Sequence, residues 1–186
     1  MFIEGREHVA APVDAVWRGL NDTQVYRDSM PELTSLIETR PDHMEAVLEL
    51  KLPAITGRFE GFLDVLERTE PGRLKLRLEG KGGSGFVVGD VELLMTESGD
   101  GTDVCYQANL QVGGQMARLG QRMIAAMARE MARNFFVAFE QLMHNGKKPQ
   151  AVNPVIVVLR LVWRTLLGML GFTPQDRRDS NRHSRN

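Results

Sequence analysis

The chain has 186 residues, a single cysteine and a formal net charge of −1. That length suits one domain with a sizeable core plus an appendage. The charge excludes a general nucleic-acid binder, which carries a basic surplus against phosphate. Cys105, being alone, can form neither an intrachain disulfide nor a cysteine-based metal site. Near the N-terminus Glu4, Arg6 and Glu7 interrupt the apolar run that a signal peptide needs, so a cytoplasmic protein is expected.

Val13, Val16, Trp17 and Leu20 recur at helical spacing after Pro12, whose missing N–H is not needed in a first turn, which predicts a short helix. A second short helix follows in "DTQVYRDSMPE", with Asp22 as its cap and Pro31 just past its end. The period then changes to two. In "EAVLELKL", Ala46, Leu48, Leu50 and Leu52 share one face; in "RLKLRLEG" it is Leu74, Leu76 and Leu78; in "TDVCYQANLQV" it is Val104, Tyr106, Ala108, Leu110 and Val112. Breaks at Pro41-Asp42, Pro53, Pro71-Gly72, Gly80 to Gly85 and Ser98 to Gly101 have hairpin chemistry. The pattern predicts about seven strands in antiparallel order.

After Gly113-Gly114 a long helix is predicted from about Gln115 to His144. At helical periodicity Met116, Met123, Ile124, Met127, Met131, Phe135, Ala138 and Leu142 project onto one face, with Asn134 beside Met123. Arg118, Arg122, Arg129 and Arg133 share another face, which reads as a solvated side or as a surface for an acidic partner or anionic lipid. Residues 145–152 have linker composition, and Asn153-Pro154 opens a further helix over 153–172.

Gly80-Lys81-Gly82-Gly83-Ser84-Gly85 matches G-x-G-x-x-G but runs into a strand rather than a helix, so a hairpin turn is the better reading than a dinucleotide site. The four histidines have no metal-ligand spacing, and Ser84 lacks a nucleophile elbow. Neither metal binding nor catalysis by the chain's own side chains is expected.

The order of elements is that of a START-like, helix-grip α+β fold. "APVDAVWRGLND", "MPELTSL", "ITGRFEGFLDV", "LRLEGKGGSGFVVGDVEL" and "YQANLQVGGQMARLGQRMIAAMAREMARNFFVAFE" together resemble the carbon monoxide dehydrogenase G-subunit family over residues 1–144. The resemblance implies an apolar cavity beneath the long helix. It also implies an accessory of a molybdenum-containing carbon monoxide dehydrogenase or related hydroxylase, associated with the cytoplasmic membrane and with carrying a quinone, menaquinone or ubiquinone. In that light Met116, Met123, Met127, Met131 and Phe135 would line the cavity, since methionine adapts to a flexible apolar ligand, although core packing uses the same spacing. Tyr106 and Asn134 could hydrogen-bond a quinone carbonyl, or could be satisfied internally.

The segment "VIVVLRLVWRTLLGMLGF" carries thirteen apolar residues and two arginines. Insertion gains of roughly −4 to −8 kcal/mol nearly cancel the cost of about +5 to +7 for the arginines. Arg160 and Arg164 fall on one narrow helical stripe, so an in-plane amphipathic anchor is expected, with Trp163 and Phe172 in the acyl boundary. The tail at 173–186 adds four arginines suited to anionic lipid on the inner face. The leading expectation is a non-enzymatic quinone shuttle attached to the membrane. The alternatives are a structural membrane recruiter with a solid core, or a helix-grip cyclase or aromatase.

Overall fold

A computed structural model describes residues 1–52 and 54–145. Apart from Asn145, the expected linker (145–152), the anchoring helix (153–172) with Arg160, Trp163, Arg164 and Phe172, and the tail (173–186) lie outside the described residues.

The period-two segments form seven strands: β1 (Phe2–Val9), β2 (Leu33–Arg40), β3 (His43–Leu52), β4 (Ile55–Thr69), β5 (Arg73–Gly82), β6 (Gly85–Ser98) and β7 (Gly101–Gly113). All pair antiparallel in the order β1-β7-β6-β5-β4-β3-β2. Strands β2 to β7 follow one another through hairpins because the intervening turns carry residues that tolerate them. Asp42, for example, takes a left-handed φ of 63° at the β2–β3 turn. The first two strands occupy opposite edges of the sheet. The long crossing between them is made by α1 (Val13–Leu20) and α2 (Thr23–Ser29). Helix α1 buries Val16, Trp17, Gly19 and Leu20. Asp22 caps α2 by accepting the Gln24 N–H at 2.8 Å.

Helix α3 (Gln121–Asn145) runs alongside β1 and in the same direction. Arg129 Nε donates to the Glu4 carbonyl at 3.2 Å, and farther along Glu140 Oε1 accepts the Ala10 N–H at 3.0 Å. The fully buried Phe139 centres the main core with Val9, Val16, Leu74 and Val104. Phe135, Phe136 and Phe139 form an aromatic cluster with centroid separations of 5.1 to 6.2 Å. A buried aromatic ring contributes about 1.5–3 kcal/mol by removal from water, so this cluster fixes the C-terminal half of α3 on the sheet.

Two expectations are corrected. The long helix does not begin at Gln115: a 3-10 turn spans Met116–Leu119, and Gly120, at a left-handed φ of 79°, separates it from α3. The face of α3 turned to the core is not the methionine face. Ala125, Ala128, Ala132, Phe136, Phe139 and Met143 meet the main core, and of the projected face Phe135 joins them. The alanine–phenylalanine stripe is centred about a third of a turn from the projected methionine face. Alanine and phenylalanine carry α3 onto the sheet because small side chains allow close approach and rings fill the remaining depth.

Candidate functional site

The inner face of the sheet is unevenly covered. The main cluster includes Leu74, Leu76, Leu93, Met95, Val104 and Tyr106. A second, smaller cluster of Ile55, Phe59 and Met116 is joined by Leu48, Leu50, Leu52, Val112, Leu119 and Met127. Between them the ladder aligns Ala46 with Gly61, Gly61 with Gly80, Gly80 with Val87, and Val87 with Val112. The inner-face residues Leu48, Leu63, Leu78, Val87, Val91 and Val112 are half-buried rather than fully covered. The clearest sign of open space is Gly80. A Cβ placed there would meet one heavy atom within 4 Å, Val87 Cγ1 at 3.5 Å. Gly61, directly opposite, is closed: its Cβ would lie 1.8 Å from the Glu79 carbonyl oxygen. A row of small residues therefore leaves an apolar, solvent-reached floor between two packed regions.

The expected site residues divide around this floor. Met116 is buried in the second cluster through the 3-10 turn, whose Met116 N–H donates to the Ser84 carbonyl at 2.9 Å. Met127 packs on the same cluster, and Phe135 packs on the main one. Met131, one helical turn from each, is half-buried and belongs to neither. Met123 and Asn134 do not join them. Met123 is 50% exposed and Asn134 is exposed, because the true buried stripe rotates both outward. Asn134, projected beside Met123 on the inward face, therefore lies at the surface.

Tyr106 stands apart from the methionines. Its ring lies over Gly5 of β1, where a Cβ would come within 2.8 Å of three ring and hydroxyl atoms. It lines an open cleft of about 410 Å³ between β1 and α3, with Gly5, Arg6, Glu7, Ala126, Arg129, Glu130 and Arg133. Burial pushes the phenol's ionisation up, Glu7 adds to the rise, and Arg129 and Arg133 oppose it. Arg6 is occupied on the outer face by Asp103, whose buried carboxyl is held well below the usual range by hydrogen bonds from Arg6, Ser98 and His8.

A second void, of about 40 Å³, lies among Tyr26, Met44, Leu63, Leu76 and Arg68. It has room for about one water. Tyr26 stacks on Phe135 at 5.5 Å and donates to the Leu20 carbonyl at 2.7 Å. Burial raises its ionisation strongly. Neither this void nor the side cleft is lined by a methionine of α3.

Sequence reasoning missed Gly80 and the charged cleft. The signal for Gly80 was present: it continues the inward parity of Leu74, Leu76 and Leu78, and the turn is Gly83-Ser84 rather than the whole Gly80 to Gly85 run. The cleft had no linear signal, since β1 and α3 are brought together only by the fold. Among the described residues no group of three His, Cys, Asp or Glu could hold a metal. Among them, too, no helix is long and apolar enough to cross a membrane.

Several solved structures share this architecture. A conserved protein from Geobacillus kaustophilus is 27% identical, with a TM-score of 0.73 over 77% of this chain and 95% of that one. A START superfamily protein from Mycobacterium smegmatis is 15% identical, with a TM-score of 0.62 over 78% of this chain and 99% of its own. A Thermus thermophilus protein is 13% identical, with a TM-score of 0.59 over 79% and 99%. No curated protein matches the chain significantly in sequence. The fold is thus START-like, and the family model for the carbon monoxide dehydrogenase G subunit (CoxG) matches residues 5–143. With well over half its length matched, the chain belongs to the CoxG family, the G subunits of carbon monoxide dehydrogenase.

Proposed function

We propose that the protein is a non-enzymatic carrier of an apolar quinone, serving a molybdenum-containing carbon monoxide dehydrogenase or related hydroxylase at the inner face of the cytoplasmic membrane. Membership of the CoxG family supports the partner. The observation that carries the ligand is the open position at Gly80 on an otherwise apolar inner face. Ala46, Leu48, Leu63, Leu78, Val87 and Val112 on the same sheet face, with Met127 packed beside Leu48 and Val112 in the second cluster, offer no titratable group, so they suit a hydrocarbon-rich ligand and supply no acid or base for turnover. Methionine side chains, flexible and polarizable, follow the contour of an isoprenoid or a ring. Redox chemistry then belongs to the ligand.

The C-terminal segment with Arg160, Trp163, Arg164 and Phe172 supplies the membrane attachment in this reading. Attachment keeps the carrier close to the bilayer that holds its ligand. The test is extraction of the full-length protein, purified from its native membrane in mild detergent, followed by mass spectrometry of bound lipids. A stoichiometric quinone is expected. An empty protein that still binds dehydrogenase and liposomes would replace the carrier with a structural recruiter. Deleting residues 153–186 should remove membrane binding and leave ligand binding.

A further inference from the structure

The cleft between β1 and α3 differs in chemistry from the apolar floor. Arg129, Glu130 and Arg133 line its helical side, and Gly5, Arg6, Glu7 and Tyr106 come from the strands. Arg6 is paired with Asp103; the other two guanidiniums and the two carboxylates share one opening, yet among the described residues no ion pair joins Arg129 or Arg133 to Glu7 or Glu130. Backbone placement keeps them separate: Glu7 belongs to a strand, and Arg129 is tied to the Glu4 carbonyl at 3.2 Å. Opposite charges held apart in one open cleft are engaged together by a ligand that carries both signs.

We propose that this cleft binds a phosphate–ammonium zwitterion of the phosphoethanolamine type, with the phosphate on Arg129, Arg133 and the Tyr106 hydroxyl and the ammonium on Glu7 and Glu130. A simple anion gains from the arginines but is repelled by both carboxylates, whereas a net-neutral zwitterion matches the four charges left once Arg6 is counted with Asp103. Three separate donor groups suit a tetrahedral oxyanion better than a carboxylate, which one guanidinium can saturate in a fork. A volume of about 410 Å³ exceeds bare phosphate and admits an esterified headgroup. The site does not depend on quinone binding, because the floor and the cleft share no residue.

The experiment titrates the full-length protein with glycerophosphoethanolamine, glycerol 3-phosphate and ethanolamine, followed by NMR shifts of arginine and tyrosine side chains. Glycerophosphoethanolamine is expected to bind saturably and about tenfold or more tighter than glycerol 3-phosphate, with Arg133→Gln and Glu7→Gln each weakening it about tenfold. Thermal unfolding of both variants confirms that they remain folded. Equal affinity for glycerol 3-phosphate, or no saturable response to glycerophosphoethanolamine, overturns the assignment. Where binding is saturable, phosphatidylcholine vesicles with and without phosphatidylethanolamine identify the source. Extra retention on phosphatidylethanolamine that disappears in the double variant marks a lipid headgroup, and unchanged retention marks a free ester.

Discussion

Gly80→Val separates an open inner face from a packed one. The new Cβ would have a single neighbour within 4 Å, Val87 Cγ1 at 3.5 Å, which is ordinary van der Waals contact. Replacing a strand-interior glycine removes a penalty of about 0.5–1 kcal/mol. The two γ-methyls, roughly half-covered by their half-buried neighbours, add about 0.8 kcal/mol at the usual value per buried methylene. The fold should therefore gain about 1–2 kcal/mol, read as a higher urea midpoint at unchanged slope. The same methyls occupy the floor, and overpacking against a bound ligand costs about 1–3 kcal/mol, a loss of roughly fivefold to a hundredfold in quinone affinity. Gly61→Ala, across the ladder, serves as the contrast. Its Cβ would stand 1.8 Å from the Glu79 carbonyl oxygen, a backbone atom, so it should destabilise by about 2 kcal/mol or more. A Gly80→Val protein destabilised by more than about 1 kcal/mol would refute the open floor. A stabilised variant with unchanged quinone affinity would place the ligand elsewhere.

Phe139→Ala, which empties the centre of the aromatic cluster, should cost about 3–5 kcal/mol in urea unfolding. Asp103→Asn tests acid stability. The Asp103 carboxyl is held below its ordinary 3.8 chiefly by its hydrogen bond from Arg6, so its stabilisation is present above about pH 4 and is lost as pH falls through the depressed folded value. Wild type and variant should accordingly differ in thermal midpoint at neutral pH and converge in strong acid. A difference that persists unchanged through the acid range would contradict that linkage. Tyr106 should ionise above the ordinary 10.0, followed by ultraviolet absorbance with Tyr106→Phe as the blank. Glu7→Gln should bring that ionisation down, because it removes a charge that opposes the phenolate.

The sheet was readable because period two survives almost any local detail. Leu74, Leu76 and Leu78 must face one way whatever packs on them, and their neighbours' turns fixed the antiparallel order. Helix α3 was harder, since methionine, alanine and phenylalanine differ less in hydropathy than in what they do for packing. Its methionines drew the projected face toward Met123, whereas the observed contact uses Ala125, Ala128, Ala132, Phe136 and Phe139. The error moved Asn134 and Met123 from the interior to the surface and left Met127, Met131 and Phe135 near the inner face. Gly80 was hidden by its company: within a glycine-rich run it looked like turn, yet it is the last inward position but one of β5.

The placement of anchors along α3 connects fold to function. Its C-terminal half is fixed several times over, by the phenylalanine cluster, by the Glu140 carboxylate on the Ala10 N–H, and by packing on α1 and α2. Its N-terminal half begins after Gly120 and is held by Ala125 and Ala128 on the main core, by the Arg129 hydrogen bond to the Glu4 carbonyl and by Met127 at the second cluster, without a ring-on-ring contact. The apolar floor around Gly80 adjoins that ring-free end, because the ladder runs from Gly80 through Val87 to Val112, the partner of Met116 and Met127 in the second cluster. A carrier must admit and release a ligand without unfolding. Concentrating the aromatic packing at one end of the helix and flexible thioethers at the other meets both demands, since repacking methionine costs less than separating stacked rings.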